Sequence, residues 1–207
     1  MAADYTLYLV ADADFVSGRD LLGLVKEAVA GGVTVVQLRA KSLPGRAFVE
    51  LGSEIARALA GTGVPLLIND RVDVAVACGA AGAHLGQEDM PVRPARSLLG
   101  PAGTIGVSVN TPEEARRAEL EGADYVGAGP AFATATKATE LPVLGPDGIG
   151  RIKRAVRIPV VAIGGIGPGN AAALAGAGAD GIAVVSAILG APNARQAADA
   201  LRQAFRR

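Results

Sequence analysis

Short β-branched and aliphatic runs alternate along the chain with Ala/Leu/Arg/Glu-rich stretches of helical period. Gly, Pro, Asn or Asp stands at nearly every junction. Runs of four to eight such residues bounded by turn formers read as strands, and longer stretches with apolar residues three and four apart read as helices. The pattern predicts strands at 6–12, 33–39, 65–70, 82–86, 104–109, 125–130, 159–166 and 181–188. Between and after them it predicts helices near 19–30, 45–60, 71–79, 91–99, 112–121, 146–156, 168–176 and 193–206. Phrases such as EAVAGGVTVVQLR, EGADYVGAG and GAGADGIAVV each end a helix in glycine and restart a strand within a few residues. Glycine supplies the left-handed cap that reverses the chain in so little space. Thr111-Pro112-Glu113-Glu114 carries a capping hydroxyl, a first-turn proline and a third-position glutamate, the signature of a helix start. Eight strand–helix pairs point to an α/β fold, a (β/α)8 TIM barrel in one domain over 1–207, with an open doubly wound sheet as the lesser option.

Composition agrees with strands covered on both faces. Half of the 207 residues are apolar but only 3% are aromatic, and Trp is absent, so the core is built from Val, Ile, Leu and Ala. Lys+Arg and Asp+Glu are both 20, so no global field recruits nucleic acid or an anionic membrane, and an anion site must be a local arrangement. The single cysteine, Cys78, excludes an intramolecular disulfide and a thiolate metal cluster; its place in AVACG is that of a small apolar residue in a helix. The opening MAADYTLYLVADAD lacks a basic region followed by a long apolar stretch, and no secretion signal is expected. No apolar segment reaches the roughly 18–20 residues that span a bilayer. A soluble, cytoplasmic protein is the expectation.

In such barrels function sits at the C-terminal ends of the strands. Strands three and four end in Asn69-Asp70 and in Gln87-Glu88-Asp89, so Asp70 and Asp89 should emerge side by side at one rim. Two neighbouring carboxylates repel unless one is protonated or a cation lies between them. With one His and one Cys in the chain, the natural cation is a hard divalent ion such as Mg2+, which takes one or two carboxylates and fills its shell with water and phosphate oxygens. The competing account is that both aspartates cap the following helices. In QLRAK, alternation puts Gln37, Arg39 and Lys41 on one side of an extended chain, two cations beside the carboxylate pair, which suggests a metal-bridged diphosphate; solvated rim charges paired with neighbouring acids are the competing account. GPAFATATK (129–137) offers Thr134 and Thr136 hydroxyls and the mobile charge of Lys137 on a loop that could close over a phosphate, with a merely flexible connection as the competing account. Gly164-Gly165 after strand seven and Val185-Ser186 after strand eight lie where barrels often hold a phosphate on backbone N–H groups. A glycine pair used only for the turn is the competing account there. His84, the only histidine, has no partner for a metal cluster, and a structural hydrogen bond is favoured over acid/base work. Two anion sites facing each other favour a joining reaction over a hydrolysis.

The motifs QLRAK (37–41), LINDRVDVA (67–75), GAHLGQEDMP (82–91), IGVSV (105–109), YVGAGPAFATATK (125–137), VVAIGGI (160–166) and IAVVSAI (182–188), in this order and spacing, resemble the thiamine-phosphate synthase family along nearly the whole chain. The resemblance implies a (β/α)8 barrel that joins 4-amino-5-hydroxymethyl-2-methylpyrimidine diphosphate to 4-methyl-5-(2-phosphoethyl)thiazole, with Asp70 and Asp89 as magnesium ligands. It places the pyrimidine diphosphate on Gln37, Leu38, Arg39, Ala40, Lys41, Asn69, Ser108 and Lys137. The thiazole phosphate falls on Thr134, Ala135, Thr136, Gly164, Gly165, Val185 and Ser186. Arg39, Lys41, Ser108 and Lys137 are the expected catalytic groups, acting on the departing diphosphate. The chain departs from the family at Ala133, where proline is common, and carries Asn110 where the related thiazole tautomerase uses a histidine for proton transfer. A neutral amide does not shuttle a proton, so Asn110 counts against a tautomerase. A silent barrel that only binds a thiamine precursor also competes with the synthase reading, as does a generic phosphate-barrel epimerase or aldolase. The partners expected are the two small-molecule substrates, with no nucleic acid and no membrane, and homo-oligomer formation is left open.

Overall fold

Each strand sends alternate side chains to opposite faces, and here both faces are buried. Leu7, Leu9 and Ala11 of the first strand pack outward against helices, while Tyr8 and Val10 point into a second, smaller cluster with Val35, Leu67, Tyr125, Val161 and Ala183. The computed structural model describes residues 3–134 and 141–206. Its parallel strands are β1 (Leu7–Asp12), β2 (Val35–Arg39), β3 (Leu66–Asn69), β4 (Gly82–Leu85), β5 (Thr104–Val109), β6 (Tyr125–Ala128), β7 (Val160–Ile163) and β8 (Gly181–Val184). They close in sequence order, β8 returning to β1 with Leu7 opposite Ile182. The barrel prediction holds, and the open sheet is excluded by that closure.

The helices outside are α1 (Ala13–Val16), α2 (Leu21–Ala30), α3 (Gly45–Leu59), α4 (Val72–Cys78), α5 (Val92–Leu99), α6 (Pro112–Glu121), α7 (Gly145–Ala155), α8 (Ala171–Gly176), α9 (Ser186–Leu189) and α10 (Ala194–Phe205). The long helices bury one stripe each, for instance Phe48, Ile55 and Leu59 of α3 and Ala198, Leu201 and Phe205 of α10. The start of α6 is the expected capping box: Thr111 Oγ1 accepts from Glu114 N, and Glu114 Oε2 accepts from Thr111 N. Its end is Gly122 at φ 97°, the left-handed stop that a side chain would resist. Cys78 closes α4 and is buried.

Three strand ends fall short of the sequence prediction by two residues or more. β7 stops at Ile163 because Gly164 and Gly165 take φ of 101° and 64°. β6 stops at Ala128, just before Gly129-Pro130, where proline has no N–H for the ladder. β8 stops at Val184, and Ser186 to Ile188, read as its continuation, fall in α9. Neither α1 nor α9 was anticipated, since single-turn helices of four residues carry almost no periodicity. Among the described residues no helix is long and apolar enough to cross a membrane.

The lumen is where the tyrosines are spent. The protein has three tyrosines, and Tyr5, Tyr8 and Tyr125 all belong to the inner cluster. Ring centroids of Tyr5 and Tyr125 lie 4.7 Å apart, and those of His84 and Tyr125 5.5 Å apart. Room for them comes from glycines at facing positions. His84, Gly106 and Tyr125 occupy one row across β4, β5 and β6. A Cβ on Gly106 would stand 2.1 Å from Tyr125 Cζ, and one on Gly127 2.9 Å from His84 Cε1.

Overpacking a filled interior costs about 1–3 kcal/mol. Gly106→Ala should lose stability of that order in urea unfolding. Gly176→Ala, at the end of α8 with nothing within 4 Å of the added carbon, should be neutral or gain a few tenths of a kcal/mol.

Candidate active site

The strand order brings the charged ends of β1 to β4 to one rim. Arg39, at the end of β2, donates from Nη1 to Asp12 Oδ2 at 2.6 Å and lies 4.0 Å from Asp14 Oδ2. Asp12 Oδ1 in turn accepts from the Asp14 and Phe15 N–H groups and so caps α1. Asp14 accepts from the Lys41 backbone N–H at 2.9 Å and from the Ser42 hydroxyl, which fixes where the chain leaves β2. Lys41 Nζ is ion-paired with Asp70 Oδ2. The cations of QLRAK are thus tied into a row of carboxylates from β1 and β3. Sequence reading missed Asp12 and Asp14, although TLYLVADAD ends in acids just as LIND does; a carboxylate bound to a local helix start gives no separate signal.

Asp70 has φ 62° and is the one non-glycine residue in the left-handed region of φ among the described residues. Aspartate tolerates that left-handed region better than most side chains, and strain of this kind clusters at functional sites. Its N–H donates to His84 O at 2.8 Å, binding the end of β3 to β4. Asp89 Oδ2 accepts from Gly86 N at 2.7 Å, folding the β4 loop back on itself. That loop brings the Asp89 carboxyl within hydrogen-bonding reach of Asp70. Burial first, then the neighbouring Asp70 carboxylate, push Asp89 above the ordinary carboxylate value of 3.8, with the Gly86 N–H and, less, Lys41 pulling the other way. The helix-cap alternative fails: α4 and α5 both begin without a side-chain cap bond. Among the described residues no three His, Cys, Asp or Glu gather as metal ligands.

Inside the mouth runs a chain of hydrogen bonds that sequence reading did not assemble. Gln37 Nε2 donates to Tyr8 OH at 2.6 Å, and Tyr8 OH meets Tyr125 OH at 2.8 Å. Tyr125 OH meets His84 Nδ1 at 2.8 Å, and His84 Nε2 meets Ser108 Oγ at 2.9 Å. Burial raises both phenols well above their usual range, so they stay neutral. His84 therefore makes the structural hydrogen bonds favoured for it. Leu38 and Ala40 alternate away from Gln37 and Arg39 into the layer beneath the helices. Asn69 is half-buried at the end of β3, beside Asp70.

Across the mouth, the β6–α7 segment is stitched to the end of β7. Ala131 N donates to Ile163 O at 2.8 Å, and Phe132 N to Gly164 O at 3.0 Å. A Cβ on Gly165 would lie 2.4 Å from Ala133 O, and one on Gly164 3.0 Å from Pro130. The glycine pair is therefore already explained by this crossing. Val185 is half-buried against both core clusters, and Ser186 starts α9. Thr134 is half-buried, while Ala135, Thr136 and Lys137 lie outside the described residues. Asn110 donates from Nδ2 to Gly129 O and from its N–H to Glu114 Oε2, joining β5 to β6.

A closed (β/α)8 barrel with its polar side chains converging at the C-terminal strand ends defines a barrel enzyme. The profile described as thiamine monophosphate synthase matches residues 7–188. A thiamine-phosphate synthase of Moorella thermoacetica is 47% identical over 98% of this chain and 97% of its own length. One of Albidiferax ferrireducens is 53% identical over 95% and 90%. The solved thiamine phosphate pyrophosphorylase from Pyrococcus furiosus superposes with a TM-score of 0.90 at 39% identity, covering 99% of this chain and 97% of that one. Orotidine 5'-phosphate decarboxylase from Pyrococcus horikoshii shares the fold alone, with a TM-score of 0.71 at 20% identity over 98% and 100% of the two chains. The chain belongs to the thiamine monophosphate synthase family and is a transferase with thiamine-phosphate synthase function.

A carboxyl whose folded-state pKa is raised binds its proton more tightly folded than unfolded, so stability falls as pH rises from the unfolded value through the folded one. Asp89→Asn should remove that loss. Its melting temperature at neutral pH should equal or exceed that of the unaltered protein, with less decline between acid and neutral pH, while turnover drops sharply. Thermal unfolding at several pH values checks the sign.

Proposed function

We propose that the enzyme joins 4-amino-5-hydroxymethyl-2-methylpyrimidine diphosphate to 4-methyl-5-(2-phosphoethyl)thiazole, forming thiamine phosphate and releasing diphosphate; the carboxylated thiazole phosphate tautomer would serve as well, with its carboxylate leaving as CO2. The observation that carries the reading is the grouping of Arg39, Lys41, Asp70 and Asp89 on adjacent strand ends. The C–O bond to diphosphate breaks with its electron pair leaving on oxygen, and the amino-substituted ring stabilises the methylene cation left behind. The thiazole nitrogen then donates its lone pair to that carbon. No strong general base is required, in keeping with a lone histidine engaged on both ring nitrogens.

Arg39 and Lys41 would offset the charge gathering on the departing diphosphate. Each is held by a carboxylate it can share with an incoming ligand, and fixed charges of this kind need no reorganisation at the moment of reaction. Ser108, Asn69 and Gln37 stand around the pyrimidine side of the mouth, and Lys137 is assigned to the same diphosphate. Thr134 to Thr136, Gly164-Gly165 and Val185-Ser186 are assigned to the thiazole phosphate, with the 131–137 stretch excluding water from the cation. The donor set fits Mg2+: two hard carboxylates, close enough to disfavour each other's charge, leave the rest of the shell to water and phosphate. When bound by Asp70 and Asp89, it would supply further charge neutralisation for the leaving group. A tautomerase reading is disfavoured by Asn110, whose amide is committed to Gly129 O.

Purified protein mixed with both substrates should yield thiamine phosphate and diphosphate with Mg2+ and neither in EDTA; product in EDTA contradicts the metal assignment, and no product under either condition contradicts the substrates. Lys41→Ala should lower kcat by about 100-fold, the usual loss for one preorganised charge. Asp70→Asn, which keeps a residue tolerant of left-handed backbone, should lose metal-dependent turnover while binding of the thiazole phosphate by calorimetry stays intact.

A further inference from the structure

We infer that the buried Gln37–Tyr8–Tyr125–His84–Ser108 chain has one direction, set by the Gln37 amide, and that it makes Ser108 a hydrogen-bond donor to the ligand in the mouth. The deduction is a count of hydrogens. Three contacts separate Gln37 Nε2 from His84 Nδ1, and each needs one hydrogen. Tyr8 and Tyr125 are 1% exposed and Gln37 4%, so the chain's own hydrogens must serve. The Gln37 N–H enters Tyr8, which obliges the Tyr8 O–H to point to Tyr125 and the Tyr125 O–H to point to His84. A hydrogen on Nδ1 as well would put four hydrogens into three contacts. The neutral ring then carries its hydrogen on Nε2 and donates it to Ser108 Oγ. With that acceptor position filled, the Ser108 hydroxyl hydrogen turns away from His84.

The same count also closes in reverse if the carbonyl end of the amide faces Tyr8: every hydroxyl then points back toward Gln37, Nδ1 bears the hydrogen, and Ser108 gives its hydrogen to Nε2. The structure assigns the first direction, because the amide nitrogen is the atom on Tyr8. Neutral phenols are required for this, and burial holds both of them neutral. Ser108 is also clamped from its backbone, where Gln87 Nε2 donates to the carbonyl at 2.6 Å. Tyr8, Tyr125 and His84 are thus positioning residues acting through Ser108. Resting on the diphosphate reading above, the acceptor they prepare for is an oxygen or ring nitrogen of the pyrimidine diphosphate, not the thiazole phosphate across the mouth.

The lone histidine makes the test direct. Long-range proton–nitrogen correlation spectra of the labelled, ligand-free protein should show Nε2 protonated and Nδ1 bare, with one fixed tautomer. Tyr8→Phe and Tyr125→Phe, checked for folding by thermal unfolding, should each lose that fixed tautomer. Each should raise KM for the pyrimidine diphosphate about tenfold, the worth of one well-made hydrogen bond, with KM for the thiazole phosphate unchanged. A hydrogen on Nδ1, or a tautomer that survives Tyr8→Phe, overturns the directed chain whatever the activity. The expected tautomer with an unmoved KM overturns the role of Ser108. Wild-type protein that fails to turn over these substrates refutes the functional reading and leaves the tautomer result standing.

Discussion

Closing a parallel sheet into an eight-stranded barrel divides its side chains into two populations, and the inner one has a fixed small volume to fill without water. Everything distinctive here follows from how that volume is used. The layer under the helices is ordinary aliphatic packing, met by Val, Ile, Leu and Ala. The lumen instead takes three tyrosines and a histidine, and it fits them by leaving β5 and β6 without side chains at Gly106 and Gly127. Rings with polar tips, once buried, have to find partners among themselves. The result is a hydrogen-bonded line from β2 across to β5 that ends under the mouth.

Above that filled interior the same closure gathers strand ends that are distant in sequence. Asp12, Arg39, Lys41, Asp70 and Asp89 come from four consecutive β/α units, and each charge is placed by its own strand and exit loop. The arrangement is not one that stability alone would select, since Asp89 is held beside a like charge and Asp70 in a backbone region most residues avoid. Such tension is usual at functional sites.

Much of this was legible before any coordinates. Periodicity and glycine punctuation placed all eight strands within a few residues, and strand order then predicted that Asp70 and Asp89 would meet, because β3 and β4 had to be neighbours. What stayed hidden were contacts that depend on the inward direction of side chains across the barrel. Nothing in TLYLVAD or YVGAG says that Tyr8 and Tyr125, 117 residues apart, share a hydrogen bond. Asp14 was missed for a related reason: its partners are a backbone N–H and a hydroxyl from the far side of α2. The glycine pair after β7 was legible as a pattern but not in its cause, which is the passage of the 130–133 backbone over it.

The confinement of every tyrosine to the lumen, in a chain with no tryptophan, gives the protein an optical signature of unusual locality. Its near-ultraviolet absorbance and emission come almost entirely from one stack of phenols on the barrel axis, and helices, loops and surface contribute almost nothing. Light of that wavelength therefore reports on the interior wall alone, so slow breathing of the strands can be followed without attaching a dye.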